Sequence, residues 1–312
     1  MQWEKQIGRR IRLKDLHTLQ TVADAGSMAK AAERLAMSQP AISKAIADLE
    51  HVLGASLFDR SSSGVELTEC GHLLLERTRV VFDEVRQGVS DIEHASDPAR
   101  GEVRIGIIEP MTGVLAEIIT KLELKYPRIT YAITVNDPDS LARDLRERIL
   151  DLLLTRWVPP LIAEDLAARI LFQSPFAVMA RKTHRAFRRK KPRLADLMDE
   201  RWALSPNDSF LGRIVTDIFR RQDLPLPQTV VTTISVSMRL SLLASGNFLS
   251  VFPKSILGQR LNKAWLGALN VDLGDNSSPI AAITLAKRQP GGAVRLFLQT
   301  IIEVCKNMAE PR

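Results

Sequence analysis

Two sets of polar residues in this chain stand where side chains can do chemistry, and both point to recognition. The first is Ser38-Gln39-Pro40 followed by Ser43-Lys44, at the start of a helical stretch. A glutamine amide pairs bidentately with adenine, worth roughly 1–3 kcal/mol of base discrimination, and a proline ring offers apolar contact to a thymine methyl. Ser43 reaches a base or a phosphate, Lys44 a phosphate or guanine, and Ser38 with the helix-start N–H groups suits a phosphate. Arg34 and Arg60 flank this cluster and are candidates for phosphate or minor-groove contacts. The structural alternative is that Ser38 only caps a helix and Arg34 only pairs with neighbours on the side of Glu33.

The second set lies just beyond the ends of expected strands, where open α/β sheets hold their ligands. It comprises Pro110, Met111 and Thr112, then Asp137, Pro138 and Ser140, then Arg156, and finally Ser205, Asn207, Ser209 and Ser235. Arg156 is either a clamp for a carboxylate or a surface cation. Thr112 and Ser209 either bond a ligand or cap their helices, and Trp157 either packs or touches a ligand. An anionic organic acid is the favoured small molecule.

Catalysis has little to work with. The histidines are His17, His51, His72, His94 and His184, none in a strand-end loop, and most lie in the N-terminal helices. There is no G-x-S-x-G turn, no glycine-rich phosphate loop and no metal-ligand spacing, so neither metal nor cofactor is expected. Cys70 and Cys305 are isolated, which fits a reducing compartment.

The elements that must position the first set can be read from apolar spacing. Leu16, Leu19, Val22 and Ala23 mark one helix, stopped by Gly26. Ser27 is expected to cap a second, with Met28, Ala31, Ala32 and Leu35 inward. After Ala36-Met37, Ser38 caps a third, with Pro40 in its first turn and Ile42, Ala45, Ile46, Leu49 and Leu53 buried up to Gly54. Two short helices crossing through small alanines form a helix-turn-helix. Its outward face carries Gln39, Pro40, Ser43, Lys44 and Ala47.

Leu57-Phe58, a Ser61–Gly64 tip and Val65 alternating with Leu67 predict a β-hairpin wing. A long helix then runs to about Ala95, with Leu74, Thr78, Val81, Val85, Gly88, Ile92 and Ala95 at coiled-coil spacing, an expected dimerisation seam.

Beyond a breaker-rich linker, Ser96 to Gly101, the pattern alternates. Strands are expected at Val103–Ile108, Ile129–Val135 and Leu150–Thr155, with helices at Val114–Tyr126 and Leu141–Arg148 between them. This predicts a right-handed parallel α/β sheet. Further strands are read at Ile170–Met179, Phe248–Phe252 and Ile280–Ala286, and helices at Phe210–Arg221, Ser237–Ala244 and Ala293–Lys306.

Bulk composition agrees with a globular chain of more than one folding unit: 312 residues, 45% hydrophobic and 25% charged. The net charge of +7 is misleading. Residues 1–100 hold 13 Lys+Arg against 15 Asp+Glu, and residues 101–312 hold 30 against 21. Many of the later cations cluster at Arg181, Lys182, Arg185, Arg188, Arg189, Lys190, Lys191 and Arg193, a solvated loop by default. Contacts to a duplex must therefore come from placed residues, not from a basic domain. No apolar run approaches the roughly 20 residues of a membrane span, and Met1 to Leu16 lacks a signal-peptide core, so a cytoplasmic location is expected.

The residues Gly26-Ser27-Met28-Ala29-Lys30-Ala31-Ala32-Glu33-Arg34-Leu35, Ser38-Gln39-Pro40-Ala41-Ile42-Ser43-Lys44, Leu49-Glu50, Leu53-Gly54, Leu57-Phe58-Asp59-Arg60 and Leu67-Thr68 stand at fixed spacings. This run resembles the LysR-type transcriptional regulators, and the resemblance extends from Leu13 to about Lys287. The chain departs from the pattern at Ser63, where the wing usually carries a second cation, and at Ala29, where many members have a hydroxyl. It departs again at Arg146–Asp151, which replaces a glycine-containing approach to the third strand.

The resemblance implies a winged helix-turn-helix at 1–70, a linker helix at 71–97 and a periplasmic-binding-protein-like sensor at 98–312. The sensor's two α/β lobes fall at about 98–168 plus 275–312, and at 169–274. It also implies a regulator controlled by a small organic effector between the lobes. Double-stranded DNA with a dyad-symmetric operator is the expected macromolecular partner. A homodimer or a DNA-bending homotetramer is implied, with RNA polymerase a further candidate. A solute-binding protein or an enzyme on a bilobed scaffold is the alternative.

Overall fold

The computed structural model describes residues 10–61, 64–159, 161–258 and 260–309. It divides into two compact units, Met1–Val89 and Ser90–Arg312.

In the first unit, helices α1 (Leu13–Ala25), α2 (Met28–Arg34) and α3 (Gln39–Leu53) follow the expected spans closely. Gly26 at φ 62° and Gly54 at φ 66° end α1 and α3 in the left-handed conformation. Leu19, Val22, Ala31, Ala32, Ile42, Ile46, Leu49 and Leu57 form the core. Each large member contributes roughly 1.5–3 kcal/mol by leaving water. Ala31 is fully buried and Ala32 nearly so, which lets the helices approach closely.

Ser27 stands at the start of α2 in extended backbone, but its hydroxyl makes no capping bond, contrary to expectation. Strands β1 (Phe58–Ser61) and β2 (Gly64–Leu67) pair antiparallel as the wing, Phe58 opposite Leu67. The wing docks on the end of α1. The Val65 N–H donates to the Gly26 carbonyl at 3.3 Å, and a Cβ at Gly64 would stand 2.7 Å from that oxygen, so only glycine fits there. Helix α4 (Glu69–Ser96) leads out of this unit, with Val81, Val85 and Ile92 of the expected seam exposed.

The second unit is α/β. Strand β3 (Arg100–Ile107), a single 3-10 turn (Glu109–Met111), α5 (Thr112–Lys125), β4 (Arg128–Val135), α6 (Pro138–Arg146) and β5 (Leu152–Arg156) realise the strand–helix alternation. Strand β3 is parallel to both β4 and β5. Strand β12 (Ser278–Leu285) then inserts antiparallel between β5 and β6 (Leu166–Ser174), giving the sheet order β4-β3-β5-β12-β6. Helices α5 and α10 (Gly292–Ala309) pack on this sheet through Ile105, Ile118, Phe297 and Ile301.

A second lobe holds β7 (Phe176–Arg181), β8 (Trp202–Leu204), α7 (Phe210–Arg220), β9 (Thr229–Thr232), α8 (Val236–Ala244), β10 (Ser250–Pro253), the short α9 (Arg260–Lys263) and β11 (Leu266–Ala268). Its strands form the antiparallel order β10-β7-β11 and a parallel β8-β9 pair, around a core of Trp202, Phe219, Val178 and Leu249.

The expected single strand Ile170–Met179 is two. Pro175, with no N–H to donate, breaks it as the chain passes between lobes. All of β6 belongs to the first sheet, so the crossing falls at residues 174–176 and not near 168. The return passage runs alongside: the Phe176 N–H donates to Asn276 Oδ1 at 2.7 Å.

Candidate functional site

Helix α3 is built as the apolar spacing required. Ile42, Ile46 and Leu49 are buried, while Gln39, Pro40, Lys44 and Ala47 are exposed and Ser43 is half-buried. Ser38 is exposed and caps the helix, its Oγ accepting from the Ala41 N–H at 3.4 Å. Capping and solvent access therefore coexist there. Arg34 is exposed at the last residue of α2. Arg60 lies in β1 opposite Val65, its side chain outside the described residues, as is Ser63 at the wing tip.

Sequence reasoning assigned Glu50 no role beyond the motif. Its Oε1 accepts from the N–H groups of Leu57 at 2.7 Å and Phe58 at 3.2 Å, tying the end of α3 to the first wing strand. An acidic residue next to the buried Leu49, near the end of the helix, was its only trace in sequence.

In the α/β unit, the strand-end loops of both lobes converge on a cavity of about 420 Å³, within the range of small-molecule sites. Of the expected residues, Pro110, Asp137, Pro138, Arg156, Ser205, Ser209 and Ser235 line it. Four others do not. Met111 is fully buried in the core of the first lobe, and Thr112 turns back so that its Oγ1 donates to the Glu109 carbonyl at 2.6 Å. Asn207 is exposed away from the cavity, and the Ser140 N–H serves Asp137. Trp157 packs against the cluster around Leu141 and Leu153 and stays out of the cavity.

The helix starts around the cavity are internally satisfied. Asp137 Oδ1 accepts from the Asp139 and Ser140 N–H groups at 3.0 Å each, at α6. Ser209 Oγ accepts from the Gly212 N–H at 3.0 Å, at α7, and Ser235 Oγ from the Met238 N–H at 3.1 Å, at α8. Glu109, which sequence reasoning passed over, reaches from the first lobe to the second. Its carboxylate accepts from the Val236 N–H at 3.1 Å, the Ser237 N–H at 3.0 Å and the Ser237 hydroxyl at 2.6 Å. An anion is favoured at that helix start by its dipole and free N–H groups. The trace in sequence was an acidic residue two positions past β3, beside the proline that was noticed.

Partial burial raises the Asp137 carboxyl, but its bonds to Ser140 and Asp139 outweigh that and hold it below the usual carboxylate range. Burial drives the Arg156 guanidinium down to about 10, which leaves it charged at neutral pH. Arg156 is 1% exposed and lies 4.3 Å from the Phe176 ring centroid. Its Nη1 donates to Ser278 Oγ and, at 3.2 Å, to the Ser174 carbonyl, both in the passages between lobes. Nε and Nη2 have no partner, and neither does the buried Ser205 hydroxyl. The surface-cation alternative for Arg156 is excluded by this burial.

Matches with known proteins follow this division of the chain. Residues 13–72 match the bacterial regulatory helix-turn-helix of the LysR family, and residues 96–306 match the LysR substrate binding domain. The chain belongs to the LysR family of transcriptional regulators. It is 28% identical to the transcriptional regulator GbpR of Azospirillum brasilense over 249 residues, 79% of this chain and 73% of that protein. Among solved structures it resembles full-length OxyR from Pseudomonas aeruginosa, with a TM-score of 0.67 at 21% identity, covering 95% of each chain. CbnR, solved in complex with its target DNA, gives a TM-score of 0.54 at 23% identity over 95% of this chain and 100% of that one. As a member of this family the chain is a DNA-binding regulator with an effector-binding domain. Among the described residues no helix is long and apolar enough to cross a membrane.

Proposed function

We propose that α3 enters the major groove of an operator and reads it through Gln39, Pro40, Ser43 and Lys44, with Ser38, Arg34 and Arg60 on phosphates or in the flanking minor groove. The observation that carries this reading is the split of one helix: Ile42, Ile46 and Leu49 are buried while Gln39 and Lys44 are exposed on the other side. Among the described residues no hydrogen bond or ion pair engages the Gln39 or Lys44 side chain, and the residue types of that face match base edges and phosphates.

Substituting Gln39→Ala should lower specific binding by roughly 1–3 kcal/mol while leaving non-specific binding nearly unchanged. The measurement is titration of operator and scrambled duplexes at fixed salt. Equal losses on both would remove Gln39 from base reading.

In the same reading, two copies join through the exposed Val81, Val85 and Ile92 face of α4 as a homodimer or homotetramer. Recognition helices then sit roughly 34–36 Å apart on a dyad-symmetric site. The cavity between the lobes takes a small organic effector that alters DNA binding or bending, RNA polymerase being a further contact of the bound assembly. The domains divide at about 70 and 97, the work is regulatory with no reaction catalysed, and the place of action is the cytoplasm.

A further inference from the structure

Three helix starts and two buried polar wall residues, Arg156 and Ser205, face the cavity between the lobes, and the helix starts are already answered by the protein itself. The starts of α6, α7 and α8 are capped by Asp137, Ser209, Ser235 and Glu109. Helix α8 carries a second buried guanidinium, Arg239, whose ring partner is Phe252 at 4.4 Å. Burial drives Arg239 down to about 10 and the charge of Glu109 partly restores it. For Arg156, burial is the sole influence, with no carboxylate opposing it. Among the described residues Arg156 hydrogen-bonds a carbonyl and a hydroxyl and no carboxylate, which leaves the answering anion to a ligand.

The cavity wall supplies the rest of the specification. Arg156 and Ser205 both line it, both are buried, and Nε, Nη2 and the Ser205 Oγ lack partners. A buried donor without an acceptor costs about 1–3 kcal/mol, more when charged, and that cost is recovered when a ligand oxygen arrives. Much of the remaining wall is apolar: Ile108, Pro110, Val135, Phe210, Leu211 and Ile234. Two carboxylates, Asp137 and Glu109, also line it and are held in place as caps. A second negative charge on the ligand would meet them.

We propose that the effector is a small acid with one negative charge on an apolar body, its carboxylate seated on Arg156 and Ser205, and that Glu109 acts as a built-in anion that excludes doubly charged ligands. The proposal rests on the reading of this cavity as the effector site. Glu109 does two things at once: it links the lobes through the start of α8 and occupies a helix end where a second ligand carboxylate would otherwise settle.

The test uses the full-length protein, calorimetric titration and hydrogen exchange. The probes are straight-chain and aryl monocarboxylates of graded length, their primary amides, and the matching dicarboxylates, with inorganic phosphate as an anion lacking an apolar body. A monocarboxylate is expected to bind and to slow exchange at residues 108–110 and 234–237. Its amide should bind about a hundredfold more weakly, the effect of removing one member of a buried charge pair.

Arg156→Gln should cost about the same, Arg156→Lys less, and Ser205→Ala about tenfold, the worth of one charge-assisted hydrogen bond. Glu109→Gln, which keeps an acceptor at α8 but removes the charge, should improve dicarboxylate binding about tenfold without improving that of the monocarboxylate. Ser205→Ala and Arg156→Lys keep the question open to decision if Arg156→Gln does not fold.

Amides binding as well as acids, affinity untouched by Arg156→Lys and Ser205→Ala, or phosphate binding as well as the acids would overturn the single-charge acid and leave the effector reading standing. If no probe of any charge slows exchange at the two segments, the effector reading and the proposal fall together.

Discussion

The α/β unit treats its inward-pointing arginines in two ways. Arg104 and Arg288, both on the first lobe, share one carboxylate. Asp151 Oδ2 accepts from Arg104 Nε at 3.1 Å, and Oδ1 accepts from Arg288 Nη2 at 2.8 Å. Arg104 also donates to the Arg148 carbonyl at 2.9 Å. Arg156 and Arg239 have aromatic faces and neutral oxygens but, among the described residues, no carboxylate within hydrogen-bonding reach. A charge that holds the framework together is matched inside the chain. The other two guanidinium groups are buried against aromatic rings and left short of partners at Nε and Nη2.

The contrast can be broken at Asp151. Asp151→Ala removes the carboxylate that Arg104 and Arg288 share and should cost about 3–5 kcal/mol of unfolding free energy. Burial raises the Asp151 carboxyl, but the hydrogen bond and charge of Arg104, with Arg288 behind, overcome it and hold it below its ordinary value of 3.8. A carboxyl lowered in the folded state stabilises the protein above its unfolded value and loses that contribution as pH falls through the folded value. The difference between wild type and Asp151→Ala in denaturant titrations should therefore be full at neutral pH and shrink only below about pH 4. A variant that unfolds with the wild type at pH 7 would erase the distinction between the two pairs of arginines.

A smaller effect of opposite sign is expected at Arg156. Arg156→Met removes a buried cation whose Nε and Nη2 lack partners and keeps most of its volume, so stability should be unchanged or raised, by up to about 1–4 kcal/mol. A loss like that of Asp151→Ala would make Arg156 part of the framework. The smallest expected change is at Thr155, fully buried, its hydroxyl without a partner. Thr155→Val should gain about 1 kcal/mol by removing an unanswered polar group. A loss would mean the hydroxyl already serves the fold.

How much of this was legible in the residues depended on range. The recognition helix was readable because Ile42, Ile46 and Leu49 repeat at helical spacing, and such a stripe states which side is outward without knowledge of the rest. Arg156 was found because the end of a parallel strand is a defined place. The same rule also collected Thr112 and Asn207, which stand at strand ends but turn away, because direction depends on the local turn and not on position along a strand.

The Asp151 linkage was out of reach, since its partners are 47 and 137 residues away. Glu109 was missed for the same reason: its acceptor role is defined by α8, more than a hundred residues on. Ser27 shows the limit of local rules. It has the right residue type at the right position, yet its hydroxyl makes no capping bond.

Strand β12 sits between β5 and β6, antiparallel to both. This strand follows the whole of the second lobe in chain order. During synthesis the first lobe therefore emerges with a gap in the middle of its sheet, and β5 and β6 wait with open edges until the second lobe and β12 have left the ribosome. The second lobe, contiguous from β7 to β11, has its strands together earlier. The nascent protein thus completes its sensor from the later lobe backwards. Translation cut short before Ser278 would leave two adhesive strand edges exposed, a species suited to capture by chaperones and proteases.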